Sequence, residues 1–496
     1  MNLRLVSRIT GSLLLLEALA MFACGMFARL DVVAGDLPAM VALFRSAAVT
    51  FTIGAVLAMA GGFHRLVDRI PRREAVLVVG LGWLACSVFG GLPYVLCPPH
   101  MEWTAAVFES ASGFTTTGSS VMSDVEAWPR GMLLWRSTTQ WLGGIGILVL
   151  FVAVLSYLGV GAKSLFQNES SYRGGESGMA RIQDTSLALL RIYGAFTVIC
   201  LLGLRAMGMS WFNAVCHAMA TVSTGGFSPH TASIGYYSAW SNGWMIEVWI
   251  TLIMLLCSLN FLLYVVLLRK NWRRLREEED ARWLFSIVFF AVLLIAAGRA
   301  WPDGVDFIDA VRDASFTVAS IVSTTGFATV DYEPWPAWSR MILALLMLMG
   351  GCAGSTAGGF KVGRLLVFVK TARHEIIRAF RPNLVFRLRV NGNLLDESGR
   401  SRTVFFLLLY LMIAILSMWV VALLEAGTGI DMETCFGAVA ATLSNIGPGF
   451  GAVGPMENFG HFRGVTHVFL AWLMILGRLE LFALLVLFQP SAWRRY

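Results

Sequence analysis

Ten apolar stretches long enough to cross a bilayer run through the chain, near residues 9–30, 38–62, 74–96, 131–159, 186–208, 243–268, 283–300, 340–370, 403–425 and 464–488. A spanning helix needs about 20 predominantly apolar residues. Inside lipid the backbone has to satisfy its own polar groups, and helices do so within one segment. The expectation is an all-α polytopic membrane protein. Composition agrees: 57% of the 496 residues are hydrophobic and only 14% charged, too little charge to cover a soluble protein of this size.

Between the third and fourth, fifth and sixth, seventh and eighth, and ninth and tenth stretches lie shorter apolar segments, near 103–114, 211–222, 305–322 and 432–443. They are too short to cross comfortably and predict re-entrant helices. Each runs into a similar string: Thr115-Thr116-Thr117-Gly118, Ser223-Thr224-Gly225-Gly226, Ser323-Thr324-Thr325-Gly326 and, more loosely, Ser444-Asn445-Ile446-Gly447. Ala106, Ala214 and Ala314 hold one register relative to the glycines, and Trp103 and Trp211 another; Trp128-Pro129 and Trp335-Pro336 open two of the spans. The chain therefore divides into two leading helices (1–70) and four pseudo-symmetric helix–pore loop–helix repeats around one pore, at 71–165, 166–275, 276–380 and 381–496.

The net charge of +7 does not point to nucleic acid, because most basic residues flank the apolar spans. Arg65, Arg69, Arg72 and Arg73 follow the second span, six Arg and Lys residues sit in 269–282, and ten more in 361–402. Segments 227–241, 327–338 and 448–462 carry none. The positive-inside rule places both termini in the cytoplasm and the four glycine-ended loops outside. The N-terminus imitates a signal peptide, and Met21-Phe22-Ala23-Cys24 a lipoprotein site, but bulky Phe22 fits one poorly and an uncleaved first helix is expected. The eight cysteines form no Cys-x-x-Cys pair and are expected as small buried residues.

A single Thr-Thr-Gly is a turn after a helix. Four in corresponding places suggest a ring of backbone carbonyls able to replace the hydration shell of an alkali cation. Hard oxygen ligands suit a hard cation, and glycine permits the φ > 0 that aligned carbonyls require. The fourth copy, with Asn445, Ile446 and Pro448, and the second, with Gly225, break fourfold identity, so selectivity is expected to be weaker than four identical strands would give.

Glu109 in the first short segment, with His217 at the matching place in the second, either raises the local cation concentration or braces the loop behind the filter, and bracing is expected of it. Asp331 and Glu333 outside the third loop either attract cations or are simply solvated. Arg478, deep in the last span, faces either the pore or an interhelical ion pair; Glu480 is two residues away and off its helix face. Gly350, Gly351, Gly354, Gly358 and Gly359, with Ser355 and Thr356 among them, are compatible with a close-packed helix face or with an irregular gate at membrane depth.

With these loops, the glycine-rich break and Arg478, the chain resembles the TrkH/TrkG potassium-uptake subunits of the Trk/Ktr/HKT superfamily over its whole length. The resemblance implies K⁺ as the transported ion and a homodimer in the bacterial inner membrane with one pore per protomer. It also implies a gating loop at 350–359, a pore-facing Arg478 and cytoplasmic TrkA-like nucleotide-binding regulatory subunits. Nucleotide would bind that partner, since this chain has no phosphate-binding loop. Potassium symport coupled to protons or sodium, through Glu109, Glu480 or Asp331, is the rival within transport. A membrane-embedded enzyme is the distant rival, with no paired His/Asp or Ser/His/Asp arrangement to support it.

Overall fold

A computed structural model describes residues 2–30, 36–62, 72–158, 178–301, 304–381 and 388–485. Arg65, Arg69 and Arg387, the boundary drawn at 165–166 and the chain beyond 485 lie outside the described residues. Helices α1 (Leu3–Leu30) and α2 (Leu37–Ala60) form a leading hairpin. Small residues bring their backbones together: a Cβ on Gly11 would overlap Ala58, and one on Gly61 would overlap Arg8.

The rest is four helix–loop–helix units. The first holds α3 (Arg72–Gly90) continued by α4 (Leu92–Leu96), the short α5 (Trp103–Phe114) and α6 (Arg130–Leu158). The second holds α7 (Gly178–Ala206), the short α8 (Trp211–Val222), then α9 (Gly243–Cys257) and α10 (Phe261–Leu268), with α11 (Trp272–Glu277) in the connection. The third holds α12 (Asp280–Ala300), the short α13 (Phe307–Val322), then α14 (Ala337–Leu348) and α15 (Val362–Phe380). The fourth holds α16 (Glu397–Leu424), the short α17 (Met432–Leu443), then α18 (Gly464–Arg478) and α19 (Phe482–Leu485). Two-residue strands β1 (Met349–Gly350) and β2 (Phe360–Lys361) pair in parallel, and β3 (Arg389–Val390) and β4 (Asn393–Leu394) pair antiparallel.

Three of the four short helices start at a capping side chain. Ser210 accepts from the Asn213 N–H, Asp306 from Ile308 and Asp431 from Thr434. The second helix of each unit packs on the short helix of the next: α6 on α8, α9 on α13, α14 on α17, and α18 back on α5. That last contact closes the four units about one axis. Phe289, Phe290, Leu408, Ile415 and Trp419 are exposed on the outside, as a lipid-facing surface requires.

The ten apolar stretches are not all continuous helices. Among the described residues, six helices are long and apolar enough to cross a membrane, or seven if α9 and α10 count as one span bent by 88°. The stretch 340–370 is interrupted between Leu348 and Val362, and 464–488 stops at Arg478. Hydropathy registers apolar length, and a break whose backbone partners come from a neighbouring unit leaves that length unchanged.

On the basic side, Glu278 sits in the turn leading into α12. Burial first, and then the Asp280 carboxylate, push its pKa up from 4.5 to about 7; Glu279 adds to the rise, while Arg274 and Arg282 oppose it. An acid whose folded pKa is raised favours the fold below its unfolded value and loses that contribution as pH climbs through the folded one. The thermal-stability advantage of Glu278→Gln over the parent in detergent is therefore expected to grow from pH 4.5 to pH 7. An advantage that stays flat across that window would contradict the assignment.

Candidate functional site

The four short helices end alike. After α5, the Thr116 N–H bonds the Gly113 carbonyl at 2.9 Å and the Thr117 N–H the Ser112 carbonyl at 2.8 Å. The same pair of bonds recurs at Thr224 and Gly225, at Thr324 and Thr325, and at Asn445 and Ile446. This is a Schellman ending, whose turning residue is left-handed and usually glycine. Here it is threonine three times, with φ +53°, +53° and +55°, and Asn445 in the fourth, with φ +56°. A β-branched residue in that region costs about 1–2 kcal/mol, whereas asparagine tolerates it. The fourth loop thus differs in sequence yet keeps the same backbone turn.

Two residues on, Gly118, Gly226, Gly326 and Gly447 take φ +86°, +79°, +80° and +110°. They close a cycle. A Cβ on Gly118 would overlap the Gly225 carbonyl oxygen, one on Gly226 that of Thr325, and one on Gly326 that of Ile446. A Cβ on Gly447 would lie 3.0 Å from the Thr117 carbonyl oxygen. Each glycine therefore faces the residue just before the glycine of the next loop, all the way round. Two contacts seal the last joint: Asn445 Nδ2 donates to Thr117 Oγ1 at 2.9 Å, and Ser119 Oγ donates to the Gly447 carbonyl at 2.8 Å.

Buried polar groups hold the ring from behind. Thr115 and Thr117 hydroxyls meet at 2.7 Å, as do those of Ser323 and Thr325. Tyr410 bonds Ser444 at 2.7 Å. Fully buried Glu109 accepts from Arg136 Nε at 2.9 Å, from Ser120 Oγ at 3.0 Å and from the Val121 N–H at 3.0 Å. Arg136 also donates to the Ser228 carbonyl at 3.1 Å and lies 3.9 Å from the Phe227 ring centre. It ties the first loop to the second. His217 donates from Nδ1 to the Asn213 carbonyl at 2.8 Å, which leaves Nε2 to accept from Ser228 Oγ at 3.1 Å. Glu109 thus braces the chain just after a glycine, as expected, and His217 does the same at the matching place in the second loop. Glu333 is engaged too, accepting from the Gly451 N–H at 2.8 Å and from Arg340 at 3.2 Å, while Asp331 is exposed.

The glycine-rich segment is not a helix face. Residues 351–359 form a buried irregular loop clasped by β1 and β2, with Gly354 and Gly359 at φ +77° and +64°. A Cβ on Gly350 would overlap the Gly358 carbonyl, and one on Gly351 would lie 2.7 Å from the Ser258 carbonyl. The loop fills the break between α9 and α10: the Cys352 N–H bonds the Ser258 carbonyl at 2.8 Å, and the Phe261 N–H the Gly354 carbonyl at 3.0 Å. Non-helical backbone at membrane depth needs such partners. The loop also touches the ring, since the Gly358 N–H donates to Thr324 Oγ1 at 2.7 Å.

Arg478, buried at the end of α18, donates from Nη1 to the Thr356 carbonyl of this loop at 2.7 Å. Its Nε and Nη2 have no protein partner among the described residues. Glu480 pairs instead with Arg364, just past the loop. The interhelical ion pair considered for Arg478 is therefore absent among the described residues, and the two gate candidates are one connected structure. Lys361 Nζ also donates to carbonyls of the loop, those of Ala357 and Gly358. Arg136 and Gln140 also contact the ring and were not picked out from the sequence; two polar residues one turn apart in an apolar span were the available signal.

The family described as TrkH, cation transport protein, matches residues 41–494. The chain belongs to the TrkH family. Membership makes it a multi-pass membrane transport protein and not an enzyme. Among the family's members it is 34% identical to the Trk system potassium uptake protein TrkH of Halomonas elongata, with 100% of both chains covered. It is equally 34% identical to that of Escherichia coli K12, again over 100% of both. Identity to the Trk system potassium uptake protein TrkG of E. coli K12 is 33%, over 86% of each chain. The crystal structure of the potassium transporter TrkH from Vibrio parahaemolyticus superposes with a TM-score of 0.87 at 30% identity, covering 100% of both chains.

Proposed function

We propose that this chain moves potassium across a bacterial inner membrane through the ring of Gly118, Gly226, Gly326 and Gly447, with the 350–359 loop and Arg478 as its gate. One observation carries the reading: four loops from four repeats close a cycle in which every glycine abuts the next loop's carbonyl. Carbonyls at Thr115–Gly118, Ser223–Gly226, Ser323–Gly326 and Ser444–Gly447 replace water around the ion. The names of the relatives supply potassium as the cation. We divide the chain into a leading hairpin at 1–70 and repeats at 71–165, 166–275, 276–380 and 381–496. Both termini lie in the cytoplasm on the positive-inside argument. The working unit is a homodimer with one pore per protomer. The basic segments 269–282 and 361–402 offer contacts to TrkA-like nucleotide-binding subunits, so that nucleotide acts through the partner.

Coupled symport finds less support. Glu109 is engaged by Arg136 and Glu480 by Arg364, and Asp331 is exposed. Potassium uptake by cells lacking other potassium systems tests the proposal, and a reversal potential that tracks potassium alone separates a channel from a symporter. A reversal potential that follows the proton or sodium gradient would defeat the channel reading.

The gate has its own test. The Arg478 guanidinium sits on the Thr356 carbonyl with two nitrogens unpartnered among the described residues, a fixed positive charge in the path of a cation. Arg478→Ala is expected to raise potassium flux several-fold in the absence of the regulatory partner. Flux equal to or below that of the parent, at equal protein in the membrane, would remove Arg478 from the gate.

A further inference from the structure

The second loop departs from the Thr-Thr-Gly pattern at Gly225, and a side chain from another repeat fills the vacancy. In the first and third loops, hydroxyls at corresponding positions pair, Thr115 with Thr117 and Ser323 with Thr325, each at 2.7 Å. Gly225 has no hydroxyl to give Ser223. A Cβ there would run into Cδ of Gln140, which is fully buried on α6. The Gln140 carboxamide lies along the loop instead. Its Nε2 donates to the Gly225 carbonyl, and the Phe227 N–H donates to its Oε1 at 3.1 Å. These partners settle the orientation of the amide, since a carbonyl only accepts and an N–H only donates. Arg136, one turn earlier on the same face, bonds the Ser228 carbonyl at 3.1 Å.

We infer that Gln140 is a specificity-determining positioning residue. Its carboxamide clamps the chain on both sides of Gly226 and fills the space that a side chain at position 225 would take. The Gly225 carbonyl is the one that abuts Gly118, so the clamp sets where the second loop sits in the ring. This inference rests on reading the ring as an ion filter. A clamp of this kind acts on ion choice, because a loop free to shift adapts to a smaller cation.

The test compares uptake of potassium and of sodium in cells lacking other potassium systems, normalised to protein in the membrane. Gln140→Met keeps the side-chain length and loses both hydrogen bonds; Gln140→Ala also empties the space. Losing a pair of neutral hydrogen bonds at the ring is expected to lower the potassium-to-sodium ratio about tenfold. Gly225→Thr alone is expected to transport poorly, because it meets Gln140. Combined with Gln140→Ala it recreates the pattern of the third loop and is expected to recover the ratio. A role confined to stability would change protein amount and total flux but leave the ratio where it was. An unchanged ratio in Gln140→Met, or a double variant no better than either single one, overturns the inference; these two decide the matter if Gln140→Ala is not recovered in membranes. Gly118→Ala separates the two readings: if it transports normally the filter reading itself fails, and if it is inactive while Gln140→Met keeps the ratio, only the role of Gln140 falls.

Discussion

Gly226→Ala and Gly326→Ala are expected to cut potassium uptake at least about tenfold, with the protein still inserted. Two independent costs meet at these positions. Their φ values of +79° and +80° lie where a non-glycine residue loses about 1–2 kcal/mol, and each 1.4 kcal/mol is a factor of ten in an equilibrium. The added methyl would also overlap the Thr325 or Ile446 carbonyl oxygen. Backbone oxygens cannot rotate away as a side chain does, so the loops have to part and the ring opens. Helices α8, α13 and α17 and their packing on the preceding units do not involve these glycines. Loss should therefore appear in rubidium or potassium uptake rather than in the amount of protein found in membranes. Normal uptake and selectivity in both variants would end the filter reading.

The second large effect is on stability. Glu109→Ala is expected to destabilise the fold by about 3–5 kcal/mol, the usual cost of stranding one partner of a buried ion pair. Arg136 would keep its charge in a site where both side chains are almost wholly removed from solvent, at 3% and 0% exposure. Ser120 and Val121 would lose their acceptor at the same time. Removing both charges with Glu109→Gln and Arg136→Met is expected to cost less than Glu109→Ala alone, because no unpaired ion remains. Thermal unfolding of the detergent-solubilised protein measures this. The idea fails if the double variant unfolds at a lower temperature than the single one.

Much of this architecture could be read from residues in order. The short helices fall at 103–114, 211–222 and 432–443, where apolar length alone placed them, and begin at 307 in the third unit rather than 305. Length is a local property, and so is the Ser/Thr-Thr-x-Gly string that follows. The positive φ of the four glycines was likewise legible, because glycine advertises it. The second left-handed position, at Thr116, Thr224 and Thr324, was not legible. Threonine disfavours that conformation locally, and only the surrounding contacts hold it there.

The breaks in the spans belong to the same class. Ser258 and Phe261 look like ordinary members of an apolar run, yet their backbone partners are Cys352 and Gly354, from a different unit. The glycine-rich segment had two readings on paper, helix face or irregular loop, and the choice between them depended on whether such partners existed. Arg478 was visible as a charge in a span; that it rests on Thr356 was not.

Residue order is enough to read off the membrane class, the number of units, the place of each short helix and the glycines at which the chain turns. Hydropathy, charge bias and φ preference are properties of single residues or short windows, and they survive without any knowledge of neighbours. The closing of the four loops into a cycle, the joining of the 350–359 loop to Arg478 and the packing of Gln140 along the second loop come from the three-dimensional arrangement. Each of these is a hydrogen bond or a steric contact between units far apart in the chain, and which groups meet is settled by packing alone.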